Sequence, residues 1–162
     1  MAETTRSDPR VLLEKDAIKE AVYEFYYRWD EGDWERAIDG FATDDISFDA
    51  GAFGTANTRD EWHEWARTVW KESVAHTWHM LHNPIIEVDG EKATGRWRHE
   101  VPAVTVEGDA VWLQGLYDHE YRRVDGEWRC ASYAVKPTYS TPYDQGWGKQ
   151  PVLEGIDEGP NW

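Results

Sequence analysis

The chain has 162 residues, the size of one domain around one core; 40% of them are apolar, and 11 Trp, 8 Tyr and 4 Phe can fill that core. Its 32 Asp plus Glu against 17 Lys plus Arg leave a net charge of -15. This excludes a nucleic-acid partner and an anionic membrane surface, since both need a basic footprint. Lysine is scarce and acid abundant, a balance that suits a high-salt cytoplasm, where screening relieves self-repulsion. Cys130 is the one cysteine, so no internal disulfide is expected and a reducing cytoplasmic location fits. The opening MAETTRSDPR has no apolar core, so no signal peptide is expected, and no run approaches the ~20 apolar residues of a membrane span.

Residues 1–10 are expected to be a flexible start. The spacing predicts a helix over 11–31, with Leu13, Ala17, Ile18, Ala21, Val22, Phe25, Tyr26 and Trp29 recurring at three and four. Gly32 stops it, and Asp33 is placed to cap a short second helix, Trp34 to Phe41. Ile46 to Ala50 alternates as a strand. Thr58, with Glu61 three residues on, forms a capping box for a third helix carrying Trp62, Trp65 and Trp70, which are expected to serve helix packing or an oligomer contact. Strands follow over 77–88, 92–106, 110–124 and 127–137, with turn signals at Asp89-Gly90 and Asp125-Gly126. The segment 138–162, rich in Pro, Gly, Tyr and Trp, is expected to pack as an irregular tail. The order is α+β: helices gathered on one side of a mostly antiparallel sheet.

One stretch asks for a decision. HTWHMLHN, residues 76–83, places His76, His79 and His82 on one stripe if helical. If it is a strand, His79 faces opposite to the other two. Pro84 argues against a helix and the stretch runs into a hairpin, so the strand reading is taken. A three-histidine metal site then loses its geometry, and no H-E-x-x-H is present. No metal is expected. No cofactor is expected either, as there is no G-x-G-x-x-G and no P-loop.

The runs WDEGDW, FATDDISF, HMLHNPIIEVDGEKA and GLYDHEYRRVDGEWRC resemble the SnoaL-like branch of the NTF2-like superfamily over residues 11–145, and within it the scytalone dehydratase and hexachlorocyclohexane dehydrochlorinase group. Local matches are D-x-G-D at Asp30, H-x-x-x-N at His79 and Asn83, G-x-Y-x-x-E-Y-x-R from Gly115 to Arg123, and Tyr-Ser-Thr-Pro from Tyr139. The resemblance implies a cone, a curved sheet wrapped around the first helix with a deep apolar pocket, over residues 11–137. It implies an Asp30–His79 dyad in that pocket, a second pocket histidine, no cofactor, and a homo-oligomer, dimer or trimer.

The implied chemistry is a cofactor-independent elimination of dehydratase type on a small hydrophobic, cyclic substrate. Histidine titrates near neutral pH, and an aspartate on one ring nitrogen leaves the other free to take a proton. Tyr26, one turn before Asp30, is placed to bind substrate, with Tyr27 as an alternative and Asn83 added by its motif. His99 shares a strand face with Trp97 and Val101, and Arg123 shares one with Tyr117, His119 and Tyr121, so both are candidate substrate contacts. Each residue also has a plain structural reading: Asp30 ends a helix, His79 is a satisfied core histidine, and Tyr26 is core. The same residues would serve an isomerase or cyclase, and the fold also suits a ligand-binding module without catalysis.

Overall fold

The computed structural model describes residues 8–150. The expected flexible start at 1–7 and the end of the expected tail at 151–162 lie outside the described residues. Helix α1 (Pro9–Asp30) begins at Pro9 because Asp8 caps it. The Asp8 carboxylate accepts the Arg10 amide at 2.9 Å, and Pro9 sits in the first turn, where its missing N–H costs nothing. The buried stripe of α1 is Ile18, Val22, Phe25, Tyr26 and Trp29. Leu13, expected to face inward, is exposed, so the stripe starts only at Ile18. Gly32, at φ 83°, reverses the chain: its N–H donates to Trp29 O and the Asp33 N–H to Arg28 O, the paired bonds of a Schellman end. Helix α2 (Trp34–Phe41) follows, without the expected side-chain cap from Asp33.

Strand β1 (Ala42–Asp49) turns through a single 3₁₀ turn, Gly51–Phe53, into the short β2 (Thr55–Ala56). Helix α3 (Arg59–Trp65) starts as the capping box requires. Thr58 Oγ1 accepts the Glu61 amide at 3.1 Å, and the Glu61 carboxylate reaches back to the Asn57 amide at 2.7 Å. A π-helical turn, Ala66–Trp70, and a last helical turn, α4 (Lys71–Ser73), lead into β3 (Val74–Thr77), β4 (Met80–Asp89), β5 (Lys92–Thr105), β6 (Ala110–Val124) and β7 (Glu127–Pro142).

The sheet runs β2-β1-β7-β6-β5-β3, with β4 also on β5. β1 pairs β7 in parallel and every other pair is antiparallel. The sheet curls around α1, with Ala93, Trp97, Tyr117, Tyr121, Cys130 and Tyr133 packed in one core with the helix stripe. This is the α+β cone that the resemblance implies. The Asp125-Gly126 hairpin has φ 52° and 85° at its two loop residues, the double left-handed pattern of a tight turn that matches strand twist.

Several expected boundaries move: α1 starts at Pro9, inside the flexible start expected over 1–10, and β1 starts at Ala42, ahead of the strand expected from Ile46. The strand expected over 77–88 is interrupted at Trp78 and His79: the Trp78 amide donates to Pro102 O at 3.1 Å, but proline has no N–H to return a bond, and the His79 amide donates to the Asp30 carboxylate. The irregular tail expected from 138 is strand as far as Pro142. Thr138 stands as the extra residue between the pairs Gly115–Pro137 and Gln114–Tyr139, a bulge that absorbs the proline. A second bulge lies in β4, between the pairs His82–Arg98 and Ile85–Arg96. Asn83 makes it, at φ 49° and exposed. No helix of the described residues is long and apolar enough to cross a membrane.

His119 is buried inside the cone, with Nδ1 at 2.7 Å from the Tyr121 hydroxyl and no partner for Nε2 among the described residues. Burial pushes its pKa down to about 3. The unfolded chain protonates His119 near ~6.5, so below that pH it binds the proton the folded state refuses, and stability falls as pH drops towards 3. His119→Gln removes up to one proton from that slope, about 1.4 kcal/mol per pH unit, which urea unfolding between about pH 6 and pH 4 measures. At the β4 bulge, Asn83→Gly leaves urea stability unchanged, whereas Asn83→Ala costs about 1 kcal/mol because a Cβ without a local polar partner resists positive φ.

Candidate active site

Asp30 is the last residue of α1, at the negative end of the helix dipole, where a carboxylate costs about 0.3–1 kcal/mol. The cost is offset by three hydrogen bonds from Thr77, the last residue of β3, and His79 just after it. Thr77 Oγ1 donates to Oδ1 at 2.8 Å, the His79 amide donates to Oδ2 at 2.7 Å, and His79 Nδ1 meets Oδ1 at 2.6 Å. Since an ionised carboxylate only accepts, Nδ1 carries the proton of this contact, and in the neutral ring Nε2 is then the nitrogen with the lone pair. Nε2 has no hydrogen-bond partner among the described residues. The His79 side chain is 6% exposed and that of Asp30 19%, while His76 and His82 are exposed. The three histidines therefore do not converge.

His79 lines a partly open cavity of about 210 Å³ between α1, α3 and the concave face of the sheet. Four rings stack in a row along it. The His79 and Tyr26 centroids are 4.7 Å apart, Tyr26 and Tyr117 5.5 Å, and Tyr117 and His99 4.0 Å with planes 10° apart. The Tyr26 and Tyr133 hydroxyls meet at 2.7 Å. Burial, more than any neighbour, raises the pKa values of Tyr26, Tyr117 and Tyr133, so these hydroxyls stay protonated and serve as hydrogen-bonding groups. His99 is pushed down to about 3, first by burial and then by the repulsion a protonated His79 would exert, and stays neutral. Its ring lies over Gly115: a Cβ there would stand 2.8 Å from His99 Nε2 and 2.4 Å from Lys136 O, so only glycine fits. Trp29, Trp62, Trp65 and Trp70 supply most of the remaining aromatic wall, with Val101, Ala103, Val111 and Leu113 on the sheet side.

Of the residues singled out in the sequence, Asp30, His79, Tyr26 and His99 come together here. Three others do not. Tyr27 is 74% exposed, since one residue along a helix turns the side chain about 100° away from the Tyr26 face. Asn83 is spent on the β4 bulge. Arg123 pairs with Glu14, donates to Gly126 O at 2.6 Å and lies over the Trp128 ring. Glu14 sits near the other end of α1, about 24 Å along the axis from Asp30. Arg123 therefore ties the helix start to the sheet and does not reach the cavity.

Sequence reasoning missed Thr77, Tyr133 and Ser140. Thr77 carries a readable signal, being two before His79 and so on the same side of an extended chain. Ser140 carries none, because the Thr138 bulge changes which residues of β7 face inward. Trp62, Trp65 and Trp70, expected to serve helix packing or an oligomer contact, line the cavity as well.

Comparison with known proteins agrees with this architecture. Among solved structures the chain is similar to a hexachlorocyclohexane dehydrochlorinase, LinA Type2, at TM-score 0.77 and 23% identity, covering 95% of this chain and 98% of that one. It is also similar to LinA-type3 from Novosphingobium barchaimii LL02, at TM-score 0.73 and 22% identity, covering 96% and 100%. A third is a candidate scytalone dehydratase from Novosphingobium aromaticivorans DSM 12444, at TM-score 0.73 and 21% identity, covering 82% and 89%. Identities this low speak for the fold alone. A search of curated proteins returns no match. The model of the SnoaL-like domain matches residues 10–134, most of the chain, and on that match the chain belongs to the SnoaL-like domain family.

Proposed function

We propose that the protein is a cofactor-independent lyase that carries out a dehydratase-like elimination on a small, hydrophobic, cyclic substrate. The observation that carries this reading is the Nδ1 contact of His79 with Asp30 at 2.6 Å, in an imidazole that borders an apolar cavity. Asp30 orients the ring, selects the tautomer and stabilises the imidazolium that forms when Nε2 takes a proton. The proton comes from a carbon next to an activating group. The C–H electrons become the new C=C bond, and the leaving group departs with its own electron pair. Where the leaving group is hydroxyl, the imidazolium returns the proton to it, water leaves, and His79 is ready again. The three bonds to Asp30 hold this geometry before substrate arrives, so little reorganisation is needed in the reaction.

Size supports a ring substrate. An apolar cavity of about 150 Å³ takes up benzene, so about 210 Å³ suits one substituted ring or a small fused pair. Tyr26 lies flat against His79 and limits where the ring can sit. The names of the structural relatives, a dehydratase and dehydrochlorinases, are in line with elimination. An isomerase would use the same imidazole, but it would release neither water nor halide.

A screen of small cyclic ketols and halogenated rings, read by the absorbance of the new double bond and by released halide, tests the reading. His79→Ala and Asp30→Asn each lower turnover of any hit by about 10²–10⁴-fold, the usual share of a positioned base, while thermal melts show the fold kept. Wild-type turnover in His79→Ala overturns it.

A further inference from the structure

A π-helical turn, Ala66–Trp70, interrupts the helical segment that carries three of the cavity tryptophans, Trp62, Trp65 and Trp70. Its closing bond runs from the Lys71 amide to Ala66 O, five residues back where an α-helix reaches four. Such turns are rare and recur at functional sites. The local side chains accommodate it. The Thr68 hydroxyl donates to Glu64 O at 2.8 Å and the Ser73 hydroxyl to Val69 O at 2.7 Å, back-bonds of the kind that accompany bent helices.

The turn has one clear geometric effect. Trp65 and Trp70 are five apart, and in a regular α-helix side chains at that spacing point about 140° from each other. One of the two indoles would then leave the cavity. Here both line it, half-buried, with ring centroids 6.0 Å apart. Trp70 also stands edge-on to Trp29 at 5.4 Å and lies 6.3 Å from the His79 ring. The π turn thus delivers a large, rigid ring to the side of the base. From this we propose that Trp70 is a specificity-determining residue: seated by the π turn, it closes the cavity beside His79 and limits how many fused rings fit there. The inference deepens the lyase reading and rests on it, because it takes the occupant of the cavity to be the substrate of that reaction.

The basis is steric. A cavity of about 150 Å³ takes up benzene, and about 210 Å³ leaves room for a second fused ring. A third ring needs the space that the Trp70 indole fills. That indole resists displacement, since moving it displaces Trp29 and Trp65. Apolar burial alone works the other way: each added ring hides more surface from water, so an unrestricted pocket holds the larger ring system more tightly. The two effects give opposite rankings.

Indole and carbazole share one N–H and differ by one fused ring, so equilibrium dialysis of the two against the protein reads size without turnover. Wild type binds indole at least about tenfold more tightly than carbazole, the reverse of the order that buried area alone gives. In Trp70→Ala carbazole binds at least as tightly as indole, because area then decides. Trp70→Leu shifts carbazole the same way by a smaller factor and serves if Trp70→Ala folds poorly. Trp112→Ala removes an indole from the outer face of the sheet, where it stacks on Tyr143, and keeps the wild-type ranking. Carbazole binding wild type as tightly as indole, an unchanged ranking in the folded Trp70 variants, or the same reversal in Trp112→Ala overturns the inference. The His79→Ala protein separates the two readings. If it turns substrate over while the Trp70 variants still reverse the ranking, the lyase reading falls alone. If it is inert and the Trp70 variants rank the two compounds as wild type does, this inference falls alone.

Discussion

The carboxylate of Asp30 joins the two halves of the molecule. It stands where the central helix ends, and it accepts a hydroxyl, a main-chain amide and an imidazole from one short piece of the sheet. The amide bond falls in the gap between β3 and β4, at the residue whose side chain turns into the cavity. Backbone and ring are thus held by the same two oxygen atoms. An acid at the C-terminal end of a helix runs against the local electrostatic preference, and such local conflicts are expected where geometry serves something other than stability.

The cavity remains open for reasons that are also local. Large aromatic side chains from α1 and α3 stack on one another and bridge to the sheet without filling the space in front of it. Opposite them the sheet presents small or aliphatic residues, Ala103, Val101 and Leu113, and the bare backbone at Gly115. Two bulges, at Asn83 and Thr138, add twist on either side of β5 and β6 and help the sheet curl. Rigid rings stacked at 4–6 Å resist collapse better than flexible side chains would, since moving one displaces its neighbour.

Much of this was legible from residue spacing. The helix stripe from Ile18 to Trp29, the Thr58–Glu61 cap and the Asp125-Gly126 hairpin each follow a local rule that tertiary packing does not override. Parity within the strand separated His79 from His76 and His82, and the break at Trp78–His79 keeps that parity because the register on β5 resumes without a shift. The failures share a cause. Arg123 has the inward parity expected of it, yet β6 is long enough that its end faces the start of α1 instead of the cavity. Asn83 looked chemical but is used for its tolerance of positive φ. Ser140 and the extension of β7 depend on a bulge that no pattern of alternation announces. Length along a strand and the placement of an extra residue are global properties, and a window of neighbours does not contain them.

Trp29, Trp62, Trp65 and Trp70 surround the cavity within energy-transfer distance of one another, with neighbouring centroids 5.4–6.4 Å apart. An occupant would therefore change the surroundings of several indoles together, so the chain's own ultraviolet emission is a built-in optical gauge of whether its interior is filled.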